Sequence, residues 1–531
     1  MISLRTPLLG LAVATVGAAL AISGPMPLGW RWLGKAVTAP TSAPVIDGNR
    51  LFVAVGRSVH ALDATTGTEL WSFPKGAELE GEFRATPAMA GDMIIASNTN
   101  KAVFGLNKND GTKQWTFLLS SSVARHVLAD GDLAYLFTSD NRIVAINTVS
   151  GSRAWASDFD INDAIVGRPV MHEGDLIFYT ATSQLASFST SKQKFNWVLN
   201  VGSVPIDGNP VIYDGGVFVV TGQQVAKINA KTGRPNWTRN FPAHLAGSVA
   251  MTPKGGVVAT DDMKCFVFDL NGRLTSQKPI ELRGYLAGSP QSLNETVLVK
   301  SRGGAMFLVD PSRPGGAVLW EYSTMPIVGM TRGGGTGATA GGTARAGQGG
   351  GTTNSSSAIT SVGVIGPVAA TDTAMYAIGD EGSVFAWGMD LGADETGPNI
   401  KMLTPPQGAH LFGGAGLNIV FNLSDETSGV MSKSIRVTLN GQLAKFDYEP
   451  GTGNLWIRIR EGGSTAVGAN PPLSDGRKTF TVSVADWVGN VTEKSFTIVV
   501  DNSLPVIKQR GDDVKPGGPS AAGGGGGSGS G

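Results

Sequence analysis

The chain has a single cysteine, Cys265, among its 531 residues. No intrachain disulfide can form, and redox or zinc chemistry built on paired cysteines is excluded. Charge is sparse and balanced: 16% of residues are charged, with 42 basic and 42 acidic side chains and no long run of either sign. A phosphate backbone would find no basic face, so no nucleic-acid partner is expected. His60, His126, His172, His244 and His410 lie far apart and never fall into HxH or HExxH spacing. No metal or nucleophile constellation is supported. The Gly-rich stretch lacks the Lys-Ser/Thr of a phosphate loop, and neither GSVAM nor AGSPQ forms a G-x-S-x-G elbow. No catalytic residue and no metal ligand is therefore assigned.

The chain is rich in glycine, at 74 residues, and with so few charges this favours turn-rich β structure over helical bundles. The first 24 residues, MISLRTPLLGLAVATVGAALAISG, carry one Arg, an apolar run from Pro7 to Ile22, and Ala19 and Ala21 in A-x-A spacing. They read as a Sec-type signal peptide; an uncleaved anchor is the alternative, although the run is short of the roughly 20 residues a bilayer requires. Residues 22 to 30 contain no Cys to carry a lipid, so a lipoprotein is not expected. The mature chain is expected to be periplasmic or extracellular in a bacterium, with no membrane span after cleavage.

The stretch ALDATTGTELW, residues 61 to 71, recurs in weaker form along most of the chain. VHALD, VFGLN, IVAIN, LASFS, VAKIN, CFVFD and MFLVD end at 63, 107, 147, 189, 229, 269 and 310, a period of 40 to 44 residues. That length suits a four-stranded blade. An eighth unit, VFAWG, ends at Gly388, 78 residues later, after an insertion that includes the Gly-rich segment 331–357, read as a loop. Asp63, Asn107, Asn147 and Asn229 can accept hydrogen bonds from the following turn, and Gly67, Gly111, Gly151 and Gly233 can supply its positive φ. Four residues after each Gly comes Trp71, Trp115, Trp155 or Trp237 in the units that keep it; Trp197 keeps its place although Gln193 replaces the Gly, and Trp320 follows Gly316. Ser276 and Gln277 fill the slot in the sixth unit. A large ring at one place per unit is expected to be buried between blades, its N–H on a backbone carbonyl.

This signature, Asp/Asn, then Gly, then Trp, resembles the tryptophan-docking repeat of eight-bladed pyrroloquinoline-quinone-type propellers. That family includes quinoprotein dehydrogenases, an outer-membrane assembly propeller and many secreted proteins. The resemblance implies an eight-bladed β-propeller over residues 25–393. The eighth unit lacks its Trp, while GWRWLGKAVTAP, residues 29 to 40, offers Trp30 and Trp32 ahead of the first unit. This segment is expected to supply the outer strand of the last blade, removing a sheet edge; an exposed Trp patch is the alternative.

From about Ile400 the period gives way to alternating apolar strands and the hairpin signal Asn440-Gly441, expected to form a β-sandwich over 394–505. VADWVGN and FTIVVDN resemble the terminal strands of bacterial immunoglobulin-like domains. Asp425, Asp486, Asn490 and Asp501 could be turn-fixing residues or calcium ligands. Residues 506–531 read as a Gly/Ser-rich tail. The whole is expected to be an all-β, monomeric, non-enzymatic scaffold binding protein or polysaccharide in the cell envelope, with no cofactor. The resemblance also implies a second function, a quinone-dependent oxidoreductase using pyrroloquinoline quinone and Ca²⁺; an adhesion or surface-layer component is a third reading. Quinoprotein dehydrogenases typically stack the quinone on an adjacent-Cys pair, which this chain lacks.

Overall fold

A computed structural model describes residues 26–505, apart from Val37, Ala77, Glu78, Arg125, Ile206, 324–362, Ile365, Met389 and 461–468. The segment 1–24 read as a signal peptide, the Gly-rich segment 331–357 and the tail 506–531 lie outside the described residues. The chain divides into two compact units. The first runs to Asp394 and takes in Glu426–Ser428; the second comprises Glu395–Asp425 and the chain from Gly429 onward.

Among the described residues the strands form eight four-stranded antiparallel sheets, all in the first unit, and two five-stranded sheets in the second. Seven of the eight are meanders of consecutive strands; blade 1, for example, runs Val45–Asp47, Arg50–Val55, Ser58–Asp63 and Glu69–Phe73. The middle strands read as continuous apolar runs because they are covered on both faces by neighbouring blades: Arg50–Val55 is buried from Leu51 onward. First strands of successive blades touch one another, and Val45–Asp47 touches Ala369–Ala370 of the last blade, so the sheets close into a ring around an axis. The structure is an eight-bladed propeller. The outer strand of blade 8 is Leu28–Trp32, paired antiparallel with Val384–Gly388. In blade 3 the outer strand shrinks to Phe159–Asp160, because the chain after Gly151 bends into a loop held by the Arg153–Asp158 ion pair.

At the perimeter the turns of six blades are closed by their own Asp or Asn, at 63, 107, 147, 229, 269 and 310. Asp63 Oδ1 accepts from the N–H of Thr65 and Thr66, Asn147 Oδ1 from Val149 and Ser150, and Asn229 Oδ1 from Lys231 and Thr232. Asn107 Oδ1 accepts from Asn109 N–H. Gly67, Gly111, Gly151 and Gly233 all have φ near +70°.

In the second unit Asn418–Ser424 and Asn454–Ile459 face Gly476–Ala485 and Val491–Val500 across a shared core of Phe421, Leu455, Ile457, Phe480, Val482 and Ile498. The unit is a β-sandwich, and Asn440 and Gly441, both at positive φ, turn its Leu439↔Gln442 hairpin. Asp486 is fully buried. Its carboxylate accepts from the N–H of Val488, Gly489 and Asn490 at 2.6 to 3.0 Å and from Asn490 Nδ2 at 2.8 Å. Asp486→Ala strands these donors, and we expect urea unfolding of the full chain to show the second unit weakened by about 2 to 3 kcal/mol.

Candidate functional site: the axial cavity

The blades leave a cavity of about 1150 Å³ on the propeller axis. One repeated position, where the chain enters the innermost strand of each blade, is occupied by Ala43, Thr86, His126, Arg168, Asn209, Ser248, Ser289 and Gly366, and all of these except Ala43 line the cavity. The next residue is Pro in six of the eight, at 44, 87, 169, 210, 290 and 367. Pro has no N–H to donate and pre-sets an extended entry, which suits the start of an innermost strand.

Neighbouring members of this ring are hydrogen-bonded across the blade seams. Ala43 N–H donates to Thr86 Oγ1 at 2.9 Å, Arg168 N–H to Asn209 Oδ1 at 2.5 Å, Asn209 N–H to Ser248 Oγ at 2.6 Å, and Ser248 N–H to Ser289 Oγ at 2.8 Å. Ser289 Oγ in turn donates to Asp207 O at 2.8 Å. The four N–H bonds each satisfy a backbone donor that the innermost strand, a sheet edge, would otherwise leave open.

Two cations break the ring's symmetry. Arg168 reaches from blade 4 across the axis, its guanidinium donating to Thr41 O and, at 3.3 Å, to Thr86 Oγ1. Burial lowers its pKa to about 10, with the Asp207 carboxylate opposing the shift. Lys300, only 2% exposed, ends the second strand of blade 7, and its ammonium donates to Gly366 O. Burial, helped by the Arg168 charge, lowers its pKa to about 7. The folded protein thus prefers the neutral amine: between pH 7 and the ordinary lysine range the unfolded chain binds more protons, so this residue makes stability rise with pH there. Below pH 7 both states are protonated, so the slope vanishes and the full cost of burying the ammonium is present. Lys300→Met should therefore stabilise the protein at neutral pH by about 1 to 4 kcal/mol and flatten the stability profile above pH 7; denaturant midpoints across pH check both.

The perimeter tryptophans and turn residues lie away from this cavity. The structure brings each ring to the turn glycine of the following blade: a Cβ on Gly111 would lie 2.5 Å from the Trp71 ring, one on Gly151 2.4 Å from Trp115, one on Gly233 2.7 Å from Trp197, and one on Gly272 2.7 Å from Trp237. The indole N–H groups of Trp71, Trp115 and Trp197 donate to the carbonyls of Lys108, Thr148 and Ala230 at 2.8 to 3.1 Å. Trp30 continues the series from blade 8, against Gly67 and donating to Ala64 O at 3.0 Å. Trp155 packs between Tyr135 and Phe188. Trp320 departs from the pattern: fully buried, it donates at 3.0 Å to Ser428 O, from the short segment that joins the first unit. In blade 6 a Cβ on Gly315 of the next blade would meet only the small Ser276. Cys265 is buried in a middle strand, which pushes its thiol up to about 12.

Sequence reasoning missed the axial residues. The signal that could have found them is this position, which returns every 39 to 43 residues from Ala43 to Ser289 and is followed by Pro in five of those seven units, a fainter echo of the Trp period.

Compared with known proteins, the chain matches the family described as outer membrane protein assembly factor BamB over residues 23–204, 150–283 and 197–392. Among curated relatives it is 21% identical to BamB of Yersinia pestis over 282 residues, covering 49% of this chain and 69% of that protein. BamB of Moranella endobia is 24% identical over 44% of this chain and 63% of the relative, and BamB of Vibrio cholerae 24% over 44% and 53%. Among solved structures, BamB from Moraxella catarrhalis superposes with a TM-score of 0.51 at 14% identity, over 68% of this chain and all of that one. The designed protein Ika8 gives 0.50 at 10% identity over 67% of this chain. At these identities the structural likeness speaks to the fold alone.

Proposed function

Since the chain belongs to the family of the outer membrane protein assembly factor BamB, we propose that it is a non-enzymatic propeller platform for protein partners of the bacterial cell envelope, periplasmic or extracellular and monomeric. The observation that carries this reading is the family match, which runs through all eight blades and stops where the propeller stops. The indoles of Trp30, Trp71, Trp115, Trp197 and Trp237 give the platform its rigidity, each stapling one blade to the turn of the next. The sandwich, read as immunoglobulin-like, extends its reach. No helix among the described residues is long and apolar enough to cross a membrane.

The test is affinity capture from the native envelope with the full chain, after crosslinking. Recovery of envelope assembly proteins is expected, competed by untagged chain. Recovery of nothing beyond a tag-only control overturns the platform reading. In parallel, adding pyrroloquinoline quinone with Ca²⁺ should give no dye-linked oxidation of alcohols or sugars. A dye-linked rate above that of the quinone alone would move the chain among the oxidoreductases.

A further inference from the structure

We propose that the axial cavity is a binding site for a small oxyanion-bearing ligand, an organic acid or a phosphate ester, whose anionic group sits between Arg168 and Lys300. This stands apart from the platform reading and needs no protein partner.

Three observations converge on it. The first is placement. Arg168 comes from blade 4 to Thr41 O, and Lys300 from blade 7 to Gly366 O. A Cβ on Gly366 would lie 3.3 Å from Thr41 O, so the two carbonyls adjoin and the two cations converge on one spot from different sides of the axis.

The second is that the fold does not call for a lysine there. Lys300 pairs with Met306, and the equivalent residues of the other blades, each opposite the same position of the third strand, are Ala54, Ser97, Phe137, Tyr179, Val220, Ala259 and Ile378. Lys300 is the one charged side chain of the eight. A buried ammonium in a slot that uncharged residues fill elsewhere costs stability, and ligand recognition is a use that can offset that cost.

The third is an orphaned donor in the same slot two blades into the ring. Ser97 lines the cavity, is 3% exposed, and its hydroxyl has no hydrogen-bond partner among the described residues. A buried hydroxyl without a partner is unusual, and a ligand oxygen would satisfy it.

The charges facing the pair are few. Asp207 acts on Arg168; Glu82 is engaged by Arg84 at 2.8 Å; His126 completes the titratable wall. The cavity is larger than a single oxyanion and falls near the upper end of small-molecule sites, roughly 300 to 1,000 Å³, leaving room for the ligand's body. An anion bound beside Lys300 favours the ammonium, so binding takes up a proton above pH 7 and weakens as pH rises.

Isothermal titration of the full-length protein with citrate as the carboxylate probe, and with inorganic phosphate as the phosphate probe, tests this. At least one should bind, about tenfold or more tighter near pH 6.5 than near pH 8.5, with a buffer-dependent heat that reports proton uptake at the higher pH. Citrate alone assigns an organic acid, phosphate alone a phosphate ester; both bind if the site reads charge only. Lys300→Met should abolish the binding and Arg168→Gln weaken it at least tenfold, while the exposed Lys278→Met leaves it unchanged. No heat from either probe at millimolar concentration overturns the proposal. So does binding without proton uptake, a wild-type measurement that stands even if a variant misfolds, and so does undiminished binding to a folded Lys300→Met protein.

Discussion

A chain that begins at Thr41 should aggregate or elute as oligomers and melt well below one that begins at Pro25. The lost segment is a dozen residues of loop and one strand, Leu28–Trp32, yet that strand completes blade 8. Trp30 lies against Gly67 and donates to Ala64 O, so it holds blade 8 to blade 1. Arg31 pairs with Glu381 at 2.6 Å and lies 4.7 Å above the Phe385 ring. Without them the edge of Val384–Gly388 is open to pairing with other chains. Trp30 is half-buried, and loss of its packing alone should cost about 1 to 3 kcal/mol. Size-exclusion elution and thermal melting decide it: identical profiles for the two chains would refute the closing role of this strand.

Trp71→Ala should lower propeller stability by about 3 to 5 kcal/mol, while Gln277→Ala, in the blade that lacks the ring, should stay within about 0.5 kcal/mol. Trp71 is 6% exposed, fills the space beside Phe52, and satisfies Lys108 O. Its counterpart Gly111 is a sharper probe. At φ +72°, with a Cβ 2.5 Å from the Trp71 ring, Gly111→Ala must both strain the backbone and push the indole away. In the double variant the clash has no ring to meet, so the two losses should not add. Additive losses in denaturant unfolding would mean that the ring and the turn do not share one contact.

The perimeter was legible in the sequence and the axis was not, for one physical reason. Perimeter positions repeat the same residue because each makes the same contact with the same neighbour: Trp71, Trp115 and Trp197 all meet a glycine and a carbonyl. Axial positions share only a backbone role. Their side chains range from Ala43 through His126 to Arg168, so what recurs is the Pro behind them, and residue-type periodicity passes over them. Lys300 reads as an ordinary strand-ending lysine in TVLVK; its burial is imposed by chain more than sixty residues away, including Gly366. In the second unit the hairpin at Asn440–Gly441 could be read from its turn chemistry, whereas the parallel pairing of His410–Leu411 with Val499–Val500 has no local signature.

The closing strand has a consequence for how this propeller comes into being. Trp30 pairs with Ala386, so this strand faces a partner 356 residues further along the chain. Blades 1 to 7 are each contiguous and can form as the chain lengthens, but the amino-terminal strand must stay extended, with its backbone groups unpaired, until almost the whole unit exists. Ring closure is then a single late event of very high sequence separation, slow by the rule that distant contacts are made only after their loop entropy is met. Throughout that wait the seam between blades 8 and 1 is the place where a second chain, or a chaperone, can insert.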